Sequence, residues 1–395
     1  MATAVQSAKI LKDLRIVDVD THLSEPHDLF TSRAPRKWKD LVPQVKMVDG
    51  RPTWVSEGDQ VMGKALAISI IRADGSKGEG LEVFKNENKD VHPGSYDAKQ
   101  RVRVMDEGGI WGQILYPNLL GFGGHKIPGK DEELRRLCVT LYNDAMAEFQ
   151  ETSGNRIFPM ALLPWWDIDA AVAEAERAHK MGLRGVNTNS DPQDVGLPDL
   201  GQPHWEPLWE VCADLGLPVN FHIGASDSSR TWFGGNAAWP SRPKDQKLAL
   251  GGTMMFFQNA RVLANIIYSG ICERHPKLMF VSVESGVGWI PFLLECLDYQ
   301  AKETALTAIA GLTMKPSDYF RRQMYGCFWF EHENLAAVAH QVGADNLMFE
   351  TDYPHPTCLY PNSVEHAVKA VAALEPEDQR KLLGGNAIRV YSLPA

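Results

Sequence analysis

From about Asp97 to the C-terminus, amphipathic runs of helix length alternate with short apolar runs, and this alternation limits the fold more than any other feature of the chain. Helices are expected at Asp97 to Glu107, Asp131 to Thr152, Asp169 to Met181, Trp205 to Leu215, Phe256 to Glu273, Trp289 to Glu303 and Asn334 to Val342. Each leads into a strand-like run, in order Gly112 to Tyr116, Arg156 to Leu163, Gly182 to Thr188, Pro218 to His222, Leu278 to Glu284, Gln323 to Phe328 and Leu347 to Glu350. Helices near Ser363 to Leu374 and Pro376 to Leu383 close the chain. With Ile16 to Leu23 at the start, the pattern predicts eight parallel strands, the number that closes a (β/α)8 barrel. The expected fold class is therefore α/β, a TIM-like barrel. An open doubly wound sheet is the alternative, but it wants a glycine-rich phosphate loop after the first strand, and none is there.

Two segments interrupt the alternation. Glu25 to Ser95 lacks helical periodicity, and Lys46 to Val55 alternates around Asp49-Gly50 as a β-hairpin does. It reads as an insertion, at about 41–95, in a single domain spanning 1–395. Gly224 to Gly252 is too long for an ordinary connection and reads as a lid, with Trp232 walling off water and Arg230 holding a substrate carboxylate.

At 395 residues and 44% hydrophobic, the chain can bury a large core. Its net charge of -10 argues against nucleic acid or an anionic membrane as partner. Met1 to Lys12 lacks an apolar stretch of signal-peptide length, and no run of about 18 apolar residues occurs. A cytoplasmic protein is expected. Six scattered cysteines without a C-x-x-C pair predict free thiols.

In a barrel of this kind the chemistry sits where strands stop. On the first strand the two-residue period puts Asp18, Asp20 and His22 on one face. Later strands end at Tyr116, Asn187, His222, Glu284 and Asp352. Asp20, His22, His222 and Asp352 form a donor set for one divalent cation, zinc first, with manganese or iron as alternatives. Such a cation polarises water or a substrate oxygen.

The D-x-H motif at Asp20 to His22, Pro218-Val219-Asn220-Phe221-His222, Arg274 to Phe280 running into Glu284-Ser285-Gly286, and Phe349-Glu350-Thr351-Asp352-Tyr353-Pro354-His355 together resemble the amidohydrolase superfamily. The nearer likeness is to its amidohydrolase-related branch, that of the aminocarboxymuconate semialdehyde decarboxylase-like enzymes. The resemblance runs from Ile16 to Gly385-Asn386-Ala387. It implies one divalent metal on Asp20, His22, His222 and Asp352, with Asp352 also taking a proton from metal-bound water. It further implies either hydrolysis or non-oxidative decarboxylation of a small carboxylated substrate, in a homodimer. The chain departs from the branch in having D-x-H where H-x-H is common, and Glu284 where the decarboxylases carry a histidine. A glutamate there has three possible roles, as a fifth ligand, a general acid or base, or a hydrogen-bond partner of His222. His332 and His355 are candidates for the missing imidazole.

The leading expectation is a hydrolase using metal-activated water, with Asp352 as base, on a cyclic or unsaturated carboxylated metabolite. Decarboxylation of an aromatic or unsaturated acid stands second, and a barrel that binds a ligand without turnover stands third. Gly58 to Lys64 has phosphate-loop spacing but is followed by Ala65, and His332-Glu333 lacks the second histidine of a zinc-protease helix because Ala336 stands there.

Overall fold

The computed structural model describes residues 14–233, 239–304 and 311–394. The strands among the described residues are, in chain order, β1 Val17–His22, β2 Gln44–Val48, β3 Arg51–Ser56, β4 Gln60–Lys64, β5 Gly112–Tyr116, β6 Ile157–Pro159, β7 Ala161–Leu162, β8 Val186–Asn187, β9 Val219–His222, β10 Phe280–Val283, β11 Met324–Phe328 and β12 Leu347–Phe349. Three of them, β2, β3 and β4, form a small antiparallel sheet. Its first hairpin turns at Asp49 and Gly50, both with positive φ (49° and 73°), as a tight two-residue turn requires. The sequence anticipated this hairpin but not its third strand.

All the other strand pairs are parallel, in the orders β1-β5-β6 and β7-β8-β9-β10-β11-β12. Only Met160 separates β6 from β7; its N–H donates to Leu115 O (2.9 Å), and the next N–H, of Ala161, donates to Gly185 O (3.0 Å). The expected strand Arg156 to Leu163 is thus bent once and serves both sheets. At the opposite edge, Asp352 N–H donates to Asp20 O (3.0 Å) and His22 N–H donates to Tyr353 O (2.7 Å). These bonds tie the end of β1 to the chain just after β12.

Strands that are buried on both faces need helices to cover them, and the sequence supplies those helices with their stops. Asp97 caps Ala98–Gly108 by accepting from Gln100 N–H (2.8 Å), and Gly109, at φ 74°, ends the helix. Asp131 caps Glu132–Thr152 in the same way, accepting from Leu134 N–H. The helix expected over Phe256 to Glu273 is two pieces, Gln258–Tyr268 and Ile271–Arg274, because Gly270 at φ 72° breaks it. The segment Gly224 to Gly252, expected as a lid, contains the helix Asp227–Arg230 and most of the helix Lys244–Met255, and part of it, 234–238, lies outside the described residues.

Outward-facing strand residues such as Val186, Phe221, Phe280 and Phe349 pack under the helices, while Val17, Val19, Ile114, Val281, Val283 and Met348 form a second cluster with Val390 and Tyr391 near the C-terminus. A Cβ at Gly384 would lie 2.0 Å from Arg15 O, so only glycine lets that closing segment approach the start of β1. All six cysteines are free, and among the described residues no helix is long and apolar enough to cross a membrane.

Candidate metal centre

The pleat of β1 sends Asp20 and His22 to the same side, and β9 ends on His222 beside them. His22 Nε2 and His222 Nε2 are 3.1 Å apart; Asp20 Oδ1 lies 3.4 Å from the first and 3.5 Å from the second. Glu284, directly after β10, brings Oε2 to 3.1 Å from His222 Nε2. Asp352, three residues past β12, brings Oδ1 to 3.6 Å from His22 Nε2. Glu284 and Asp352 both turn their carboxylates inward from left-handed backbone, at φ 55° and 60°. Such conformations cost about 1–3 kcal/mol each and persist where the surroundings enforce them.

The cluster fits a cation. His222 Nδ1–H donates to Ile223 O (2.7 Å), which orients the ring so that Nε2 faces the cluster. His22 is driven well below its ordinary pKa, first by burial and then by His355, which favours its neutral form. Burial pushes Asp20 up, but attraction to a protonated imidazole, His222 first, outweighs it and holds the carboxyl below its usual range, the same service a bound cation would perform. Neither oxygen of that fully buried carboxylate accepts a hydrogen bond. Glu284 and Glu350 are raised well above the ordinary value, and Asp352 is raised, in each case chiefly by burial. This many carboxyl groups and imidazole nitrogens, gathered out of water, need protons or a cation among them.

A surrounding layer holds these groups. Asp18 Oδ1 accepts from Thr351 N–H (2.8 Å), and its Oδ2 accepts from the Thr351 hydroxyl (2.6 Å) and from Gln113 Nε2 (3.1 Å). This clamps β1 to the residue before Asp352. Arg101, fully buried, donates to His22 O (2.7 Å) and stacks on Tyr353. The Thr357 hydroxyl donates to Asp352 Oδ2 (2.8 Å), and Glu350 Oε2 accepts from Glu284 N–H (3.2 Å). His355 stacks on His22 with ring centroids 3.7 Å apart, and its Nδ1 lies 2.8 Å from Asp352 Oδ1.

Asp20, His22, His222, Glu284, Asp352 and His355 thus come together. Tyr116 and Asn187 are beside them but turned to other work. The Tyr116 hydroxyl donates to Asn220 Oδ1 (3.1 Å), so the site receives its ring, 5.2 Å from that of His222. Asn187 Nδ2 donates to Phe122 O. His332 belongs to a separate place, 3.0 Å from Glu333 Oε1 and edge-on to His366. Trp232 lies in the turn Thr231–Phe233, half-buried, and the side chain of Arg230 lies outside the described residues.

Sequence reasoning missed Phe122, whose ring is 4.2 Å from that of His222 and 5.1 Å from that of His22. Gly123 holds it there, since a Cβ at that position would meet Ala225 O at 2.5 Å and Thr188 O at 2.7 Å. An aromatic inside Gly121-Phe122-Gly123-Gly124, just past a strand end, was the available signal. Arg101 was also missed; it shares a buried stripe with Ala98 and Met105, where an apolar residue is the rule.

Parallel strands whose C-terminal ends gather buried carboxylates and imidazoles define an α/β enzyme of the metal-centred kind. The family model described as Amidohydrolase (Amidohydro_2) matches residues 17–393, and the chain belongs to that family. It is 27% identical over 305 residues to the gamma-resorcylate decarboxylase of Polaromonas sp. (strain JS666), covering 74% of this chain and 87% of that one. Among solved structures, an amidohydrolase from Mycobacterium avium subsp. paratuberculosis K-10 matches with a TM-score of 0.76 at 25% identity, covering 96% of this chain and 99% of the other. The dihydroxybenzoic acid decarboxylase from Polaromonas sp. JS666, solved with bound manganese and the inhibitor 2-nitroresorcinol, matches with a TM-score of 0.65 at 19% identity over 96% and 97% of the two chains.

Proposed function

We propose that the protein is a metal-dependent, non-oxidative decarboxylase of a small aromatic carboxylic acid, built on a closed (β/α)8 barrel. The bonds from Asp352 N–H to Asp20 O and from His22 N–H to Tyr353 O support closure between the first and last strands. What carries the activity is the kinship with gamma-resorcylate decarboxylases over three-quarters of the chain, which favours decarboxylation over the hydrolysis first expected. The aromatic wall of Phe122, Tyr116 and the stacked His22–His355 pair suits a planar ring.

Asp20, His22 and His222, whose donor atoms are mutually close, and Asp352, 3.6 Å from His22, would hold the cation, with manganese now preferred to zinc in view of the relative that contains it. When bound, it supplies the positive charge that draws in the oxygens of an anionic substrate. The protein's own residues handle the proton. Asn118 Nδ2 donates to Leu23 O (2.9 Å), which turns Asn118 Oδ1 toward His355 Nε2 (2.9 Å), so that nitrogen carries a hydrogen. Any approach of His355 Nδ1 to Asp352 Oδ1 at 2.8 Å then needs a second proton between them. The pair delivers this proton to the ring carbon that bears the carboxylate; the bond to the carboxyl carbon breaks, its electron pair restores the aromatic ring, and carbon dioxide leaves. Phe122 and the surrounding apolar side chains keep water from competing.

The test is carbon dioxide release from ortho-hydroxylated benzoic acids, 2,6-dihydroxybenzoate among them, by manganese-loaded protein. Wild type is expected to release it and His222→Ala to lose the activity. Wild type that holds metal but releases none from any acid in the panel contradicts the reading.

A further inference from the structure

Two overlapping sets of donor atoms are each close enough to hold a cation. Asp20, His22, His222 and Glu284 form one, and His22, Glu284, Asp352 and His355 form the other, the atoms of each lying within 4.8 Å of one another. The two aspartates fall in different sets. Only His22 and Glu284 belong to both, so Glu284 occupies the middle of the cluster, where a bystander would have no reason to be.

We propose that Glu284 is a fifth protein ligand of the centre, which gives it three carboxylates and two imidazoles and biases it toward manganese at the expense of zinc. The inference rests on the metal-centre reading above and deepens it. Among the described residues no lysine or arginine pairs with Glu284; its partner is His222 Nε2 at 3.1 Å. With Nδ1 bound to Ile223 O, Nε2 is the edge of the imidazole turned to the cluster. A carboxyl oxygen and an imidazole nitrogen at that distance share either a proton or a cation, and a cation would also answer the unsatisfied oxygens of Asp20. The side chain is 13% exposed and so has little water to turn to. Its backbone is held at φ 55° with the N–H bound to Glu350 Oε2, which fixes the carboxylate in the cluster at a cost that a solvent-facing residue would not repay. Beside it, Asp20 is fully buried with both oxygens lacking hydrogen bonds, an independent mark of a missing positive partner.

Ligand chemistry gives the bias its direction. Zinc centres are satisfied by four ligands rich in nitrogen or sulfur, whereas carboxylate-rich sets suit manganese. Removing a carboxylate should therefore cost manganese more than zinc, even though zinc binds most sites more tightly.

The experiment is calorimetric titration of the full-length, metal-stripped chain with manganese chloride and, separately, zinc chloride, for wild type, Glu284→Gln and Glu284→His, with the electron paramagnetic resonance spectrum of each manganese complex. Melting curves in chelator show whether each variant folds, and the two variants stand in for each other. The expected result is a rise of about tenfold or more in the manganese Kd of Glu284→Gln, a smaller rise for zinc, an altered manganese spectrum, and recovery of zinc but not manganese binding in Glu284→His. Unchanged affinities and an unchanged spectrum in the variants overturn the fifth ligand while leaving the four-ligand centre intact. Equal losses for the two metals overturn the bias. A wild type that binds neither metal overturns the centre itself.

Discussion

The Nε2 atoms of His22 and His222 face each other at 3.1 Å across the ends of β1 and β9, with Asp20 Oδ1 within 3.5 Å of both. Two imidazole nitrogens turned to one point beside a buried carboxylate are poised for a cation, and binding one should stabilise the fold through mass action. At a metal concentration of one hundred times Kd the gain is about 2.7 kcal/mol. Thermal melts with and without manganese are expected to show a clear upward shift that chelator reverses, and His22→Ala should abolish the shift.

The clamp between Asp18 and Thr351 predicts a structural effect. Thr351→Val removes the hydroxyl that donates to Asp18 Oδ2 at 2.6 Å and leaves a buried carboxylate short of a donor. A loss of about 1–3 kcal/mol is expected in denaturant unfolding. Because Asp352 follows directly, metal affinity should fall as well, and unchanged values of both would contradict the clamp.

Gly123→Ala tests the loop that carries Phe122. The added Cβ would collide with two backbone oxygens, Ala225 O and Thr188 O, which cannot move as a flexible side chain does. A cost of about 1–3 kcal/mol is expected, with a rise in KM for an aromatic acid as the ring is displaced. Gly108→Ala, where a Cβ meets nothing within 4 Å, is the control and should leave KM alone.

Away from the site, Glu206 predicts a pH effect. Burial raises its carboxyl, but Arg274 (2.6 Å) and His275 (2.7 Å) outweigh this and hold the pKa below the ordinary 4.5. A carboxyl depressed on folding stabilises the protein above its unfolded pKa, and that contribution is lost as pH falls through the folded value. The melting temperature of wild type should therefore drop more steeply below about pH 4.5 than that of Glu206→Gln; parallel profiles would contradict the pairing.

The strand ends were legible because β1, β9, β10 and β12 are short apolar runs that stop at charged residues, and a period of two fixes Asp20 and His22 on one face. Caps at Asp97 and Asp131 were legible because the capping bond is local. What escaped depends on contacts far along the chain. His355 reaches the cluster through the turn that begins at Asp352, whereas His332, equally plausible in sequence, is drawn off to Glu333 and His366. The position of Phe122 is set by Asn187, 65 residues away, and the burial of Arg101 is justified only by the carbonyl of His22, 79 residues away. The strand expected over Gly182 to Thr188 shrinks to Val186–Asn187, since Gly182, at φ 93°, still belongs to the turn after the preceding helix.

The central claim is that the ring carbon gains a proton as it loses carbon dioxide, and one isotope measurement tests it directly. Manganese-loaded enzyme would be run on an ortho-hydroxylated benzoic acid in D2O enriched in oxygen-18, with mass spectrometry of the product. The account predicts one deuterium at the carbon that carried the carboxylate and no oxygen-18 in the aromatic product. A product that retains its carboxylate and has gained oxygen-18 elsewhere would contradict the account and restore hydrolysis.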